Sequence, residues 1–69
     1  MSELKTVRYY VRERAGGKLF EVMEQETTEV FGLRGMLLET HRSLDRIAIL
    51  DDQRRAEQWA LWLNEEAGR

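Results

Sequence analysis

His41-Arg42-Ser43-Leu44-Asp45 brings the three side-chain types of a serine hydrolase triad into one short stretch. A working triad needs hydroxyl, imidazole and carboxylate within hydrogen-bond reach of one another. On an extended strand the three line one face, but they stand two residues' rise apart, too far for direct hydrogen bonds. On a helix, Ser43 points away from His41. The simpler reading puts Ser43 at a turn and leaves His41 and Asp45 as an exposed i, i+4 pair. The chain has no Cys, which excludes disulfides, thiolate metal sites and Cys nucleophiles, and its single His rules out a multi-His metal site within one chain. No phosphate-binding loop or paired-carboxylate cleft appears, and a chain of 69 residues offers little room for an enclosed pocket. The expectation is a protein that is not an enzyme and holds no cofactor or metal.

Binding chemistry is more promising, and it lies in Val7 to Gln25, VRYYVRERAGGKLFEVMEQ. Gly16-Gly17 can take the positive φ angles of a tight hairpin turn. With those glycines as the loop, Ala15 faces Lys18, Arg12 faces Glu21, Val11 faces Val22 and Tyr10 faces Met23. Directly opposed residues share a face. Val7, Tyr9, Val11, Phe20 and Val22 then form a core face. Arg8, Tyr10, Arg12, Arg14, Leu19, Glu21 and Met23 form the other. Tyr, Met and Arg are enriched in protein interfaces, so Tyr10, Arg12, Leu19 and Met23 are expected to meet a protein partner. The plainer alternative pairs Arg12 with Glu21 across the strands and lets aliphatic stems shield the sheet. In a third reading, Arg8, Arg12 and Arg14 pair with nucleic-acid phosphates while Tyr10 stacks on bases.

The segment Val30-Phe31-Gly32-Leu33-Arg34-Gly35-Met36-Leu37-Leu38 resembles the signature of KH domains, in which two glycines follow a pair of aliphatics. In that family the glycine loop clamps a nucleic-acid backbone, so the resemblance implies that the Gly32–Gly35 loop and Arg34 would do so here. The ending IAILDDQRRAEQWALWLNEEA is similar in its order of elements to the arm-type DNA-binding domains of tyrosine integrases. Those domains are three-stranded sheets backed by a C-terminal helix, and they read DNA with the sheet.

These residues need a scaffold. Strands are expected at about Lys5 to Arg14 and Lys18 to Gln25, where apolar residues alternate with polar ones. Glu26 to Leu44 is ambiguous: an irregular turn through Gly35 and a short helix from about Met36 to Arg42 is favoured, with a third strand as the alternative. Arg46 to Leu50 reads as a short buried strand. Asp51-Asp52 stops it and caps a helix from about Gln53 to Glu66, which Gly68 can end. Ala56, Trp59, Ala60 and Leu63 form the helix's apolar stripe, with Trp59 expected in the core. Leu61 lies opposite that stripe and Trp62 on its flank. Both could dock a partner or a second copy, making a homodimer.

The expected fold is a single α+β domain spanning 1–69: a small antiparallel sheet, made of the N-terminal hairpin and a third strand, with a C-terminal helix packed on it, in the order ββαβα. The net charge of −2 argues against a general nucleic-acid binder. No apolar run is long enough to cross a membrane, and the first residues lack the apolar core of a signal peptide, so a cytoplasmic protein is expected. The function expected is a protein-binding module, a small accessory regulator or inhibitor of the kind that phages and plasmids encode. The alternative is a nucleic-acid-binding domain using Arg8, Arg12, Arg14 and Arg34.

Overall fold

The computed structural model describes residues 2–68. Three long strands, β1 (Ser2–Arg14), β2 (Leu19–Phe31) and β3 (Leu37–Leu50), precede one helix, α1 (Gln53–Ala67). The strands form an antiparallel meander in the order β1-β2-β3. The α+β class holds, but the order is βββα, not ββαβα. Glu26 to Leu44 contains no helix: β2 continues to Phe31, and β3 starts at Leu37. The physical reason is propagation. Once Tyr10 faces Met23, each further residue of β1 finds a ladder partner on β2, out to Ser2 opposite Phe31. Thr27, Thr28, Val30 and Phe31 are all strand formers.

The hairpin register is the one that the sequence predicts, with Tyr10 facing Met23, Val11 facing Val22 and Arg12 facing Glu21. The turn is longer than a two-residue loop. Ala15, Gly16 and Gly17 all take positive φ (56°, 65° and 88°), and regular pairing ends at Arg14 and Leu19. Ala15 carries its own strain there, since a Cβ in the left-handed region costs about 1–2 kcal/mol.

The core is small. Phe20, Val22, Ala56 and Ala60 are buried, with Tyr9, Val11, Ala48, Leu50 and Leu63 packed around them. Ala56 and Ala60 lie one helical turn apart, so α1 presents a smooth stripe and its backbone can come close to the sheet. The predicted core face of the hairpin is therefore the face that α1 covers at Tyr9, Val11, Phe20 and Val22, but not at Val7, which is 38% exposed and outside the core. Trp59, expected in the core, is instead 37% exposed and is not one of the residues packed around it. Asp52 caps α1 by accepting hydrogen bonds from the backbone N–H groups of Arg54 (2.9 Å) and Arg55 (3.4 Å).

The helix covers only one end of the sheet. The molecule measures 47 × 26 × 13 Å, and the end that holds the β2–β3 turn projects beyond α1. There Leu4, Leu37, Leu38 and Leu44 are about half exposed. Among the described residues, no helix is long and apolar enough to cross a membrane.

One polar contact ties the helix to the sheet edge. The Asn64 side chain accepts a hydrogen bond from the Tyr9 N–H (2.8 Å) and donates one to the Tyr9 carbonyl (2.9 Å). The amide thus stands in for one residue of a neighbouring strand. Each net hydrogen bond contributes roughly 0.5–1.5 kcal/mol. Asn64→Ala is expected to lower unfolding stability by about 1–2 kcal/mol in urea titration, with the m-value unchanged. A loss below about 0.3 kcal/mol would mean that water replaces the clamp.

Candidate functional site

β2 is the central strand, so its side chains sort the whole sheet into two faces. With Phe20, Val22, Glu24, Glu26 and Thr28 on the helix side, the register places Glu3, Lys5, Glu13, Glu39, His41 and Asp45 there as well. The opposite face carries Arg8, Arg12 and Arg14 from β1, Glu21, Met23 and Glu29 from β2, and Arg42, Leu44, Arg46 and Ile49 from β3. A chain with a net charge of −2 therefore has one basic face, with five arginines against two glutamates, and an acidic remainder. Among the described residues, no element packs on the basic face.

Glu21 organises this face. Its side chain is only 4% exposed, and its carboxylate takes Arg12 at 3.2 Å, Arg14 at 3.5 Å and Arg46 at 3.3 Å. The expected Arg12–Glu21 pair is present, and two further arginines join it. Burial by itself would raise the Glu21 pKa. The hydrogen bond and charge of Arg12, the hydrogen bond from Arg46 and the charge of Arg14 outweigh that and hold it below the ordinary 4.5. Each arginine stays about half exposed, so the cluster is fixed at its carboxylate end and open at its outer end. Arg8 extends the row, with its guanidinium 5.8 Å from the centre of the Tyr10 ring, a cation–π distance.

The proposed contact residues do not form one surface. Tyr10, Arg12, Leu19 and Met23 share the basic face, but Met23 is 4% exposed and is flanked on the neighbouring strands by Tyr10 and Arg46. It is a floor for the site, not a contact. Leu61 and Trp62 are exposed on α1, on the other side of the sheet. The nucleic-acid set is divided too. Arg8, Arg12 and Arg14 lie on the basic face, whereas Arg34 sits in the β2–β3 turn at the far end of the sheet.

Gly32 and Gly35 belong to that turn, between two strands, and not to the helix-flanked loop that the KH resemblance implied. Arg34 and Gly35 take φ of 65° and 74°. Gly32 packs so closely on Leu38 that a Cβ would lie 2.8 Å from its Cδ1. Gly32, Leu33, Arg34, Met36 and Leu38 border an open apolar hollow of about 510 Å³. His41, Ser43 and Asp45 share one face of an extended strand, the arrangement that keeps them apart, and the His41 ring pairs with Glu39 at 3.1 Å.

Arg42, Leu44, Arg46 and Ile49 escaped the sequence reading. Arg42-Ser43-Leu44-Asp45-Arg46 has one apolar residue among four polar ones, so no period marks which of them share a face. A one-residue bulge between the Val22 and Met23 pairings also breaks the count from Ala48 and Leu50, so counting in twos would put Arg46, Leu44 and Arg42 on the helix side. The chain matches no protein-family model, no curated protein and no solved structure.

Because the Glu21 pKa is depressed on folding, its contribution to stability is complete above the ordinary carboxylate value and is lost as pH falls through the folded value. Stability measured from pH 7 down to pH 3 is therefore expected to fall at the acid end, and Glu21→Gln is expected to flatten that fall. An unchanged acid limb in Glu21→Gln would show that the three ion pairs contribute nothing net.

Proposed function

We propose that the chain is a non-enzymatic binding module, an accessory regulator or inhibitor that acts by docking its open sheet face on an acidic, partly apolar protein surface. The observation that carries this reading is the sorting of charge. Arg8, Arg12, Arg14, Arg42 and Arg46 lie on one uncovered face, and Leu4, Leu44 and Ile49, each about half exposed, lie among them. Guanidinium groups interleaved with aliphatic side chains match the composition of protein interfaces, where Arg and aromatic residues carry much of the binding energy. Glu21 preorganises three of the arginines, which lowers the cost of ordering them when a partner arrives.

A second reading has its own support. The same five arginines could contact phosphates, and β3 supplies the third basic strand of an arm-type DNA-binding sheet. Protein contact is preferred because Glu21 already compensates part of that charge, because exposed aliphatics occupy the face, and because the rest of the molecule is acidic and would repel a polyanion that reached around the sheet edge.

Salt separates the two. Phosphate contacts lose affinity steeply between 50 and 200 mM salt, on the order of 10³-fold for six or more contacts. Fluorescence anisotropy with a mixed-sequence duplex and a single strand is expected to show no micromolar binding even at low salt. Salt-sensitive binding abolished by Arg42→Glu would replace the protein reading with the nucleic-acid one. Under the protein reading, a photoreactive residue at position 49 crosslinks an acidic protein in cell extract. Ile49→Asp and Arg42→Glu each weaken that protein's binding by roughly tenfold or more, about 1.4 kcal/mol.

A further inference from the structure

We propose that β3 pairs antiparallel with β3 of a second copy, forming a two-fold dimer with a continuous six-stranded sheet. The inference comes from the sheet edges and does not rest on the partner proposed above.

The two edges are treated differently by the chain itself. At β1, Asn64 occupies the outward N–H and carbonyl of Tyr9. At β3, among the described residues, no backbone group beyond the β2–β3 ladder has a hydrogen-bond partner between Leu37 and Leu50, apart from the Met36–Gly32 closure just before it. An open edge with Leu38, Leu44, Ile47 and Ile49 42–52% exposed is a template for another strand.

The direction of each backbone group follows from the Asn64 clamp. Tyr9 directs its N–H and carbonyl away from β2, so its partner Glu24 directs its own toward β3, where it faces Asp45. Asp45, Ser43 and His41 therefore bond inward to β2. Arg46, Leu44, Arg42 and Thr40 point their N–H and carbonyl groups outward. Irregularities at Leu38 and Ile47 bound this regular run.

The length of the regular run and charge together select the register. In an antiparallel two-fold pair the axis is perpendicular to the sheet, so opposed residues share a face, and the axis must pass through one residue of the run. An axis at Thr40 or His41 pairs fewer residues of the run than one at Ser43, and an axis at Asp45 sets Asp45 against its own copy. Centred on Arg42, the pairing sets Arg42 against its own copy and Glu39 against Asp45. Centred on Leu44, it sets Arg42 against Arg46. Like charges directly opposed are destabilising. Centred on Ser43, it opposes His41 to Asp45 and Asp45 to His41 on one face, and Arg42 to Leu44 and Arg46 to Thr40 on the other. No like charges face each other, and Leu44 covers the aliphatic stem of Arg42. The outward backbone groups of Arg42 and Leu44, and of Thr40 and Arg46, are then mutual hydrogen-bonding pairs. The pairing keeps both helices on one side and joins the two basic faces on the other.

An edge seam is small among stable interfaces, so the dimer is expected to build up over roughly 10 μM to 1 mM in sedimentation velocity of the purified chain. Leu44→Pro removes an outward N–H and leaves the β2–β3 ladder intact, and Pro is tolerated at such edge positions. It is expected to sediment as a monomer with an unchanged far-UV circular dichroism spectrum. Should that variant fail to fold, His41→Glu, which sets a carboxylate against Asp45 of the other copy, is expected to weaken dimerisation at least tenfold. Adding Asp45→Lys to it is expected to restore the dimer. A wild-type chain that remains monomeric at 1 mM overturns the proposal, as does a dimer indifferent to Leu44→Pro and to the His41→Glu change. A dimer that His41→Glu weakens but the added Asp45→Lys does not restore overturns the Ser43-centred register.

Discussion

The molecule depends on how closely a helix can sit on the centre of its sheet. Val22 is fully buried, and Ala56 and Ala60 are the buried helix residues that share its core. Larger residues at those two positions would lift α1 off the sheet and open the space that Phe20, Val11 and Leu63 now close. With so few buried side chains, hydrophobic burial alone gives a narrow margin, as is general for domains of this size. The capping of α1 by Asp52 and the clamp of Asn64 on Tyr9 therefore carry unusual weight, since they fix where the helix begins and where it crosses β1.

The same constraint explains the shape. One helix of this length cannot cover strands of 13 and 14 residues. The sheet is consequently two-sided only near the Gly16 turn and bare beyond it. Strands that face water on both sides need polar residues on both faces, and the outer half of β2, Gln25-Glu26-Thr27-Thr28-Glu29, has that character. The charge of this bare sheet is sorted by face, acidic on the helix side and basic on the other, so a molecule of small net charge still has a strong field across its thickness.

What the sequence made legible follows from this. The hairpin register and its core face could be read because Val7, Tyr9, Val11, Phe20 and Val22 alternate with polar residues around a glycine turn, the signature of a strand buried on one side. The C-terminal helix could be read from its cap and its alanine–leucine stripe. Glu26 to Leu44 could not, because a strand exposed on both faces has no apolar period to display. Its β-structure comes from pairing with a neighbour far away in sequence, which is information that local pattern does not hold. The error on Trp59 has a related origin. A helical wheel gives the direction of a side chain but not how far the sheet beneath it extends, and Trp59 is left 37% exposed.

The basic face was invisible for a third reason. Its arginines come from three strands, and the near-neutral total masks them. Net charge constrains binding only when charge is spread evenly; once a sheet separates odd from even positions, an acidic chain can carry a cationic surface. Glu21 shows that this surface is more than an average. A single carboxylate buried among Arg12, Arg14 and Arg46 neutralises part of their charge but fixes where the remainder is presented. If the arginines only kept the sheet soluble, they would need no common anchor, since free side chains do that without giving up rotamer entropy. Holding three of them on one buried acid restricts their motion, and under the binding role proposed above that restriction lowers the cost of meeting another surface in a defined orientation.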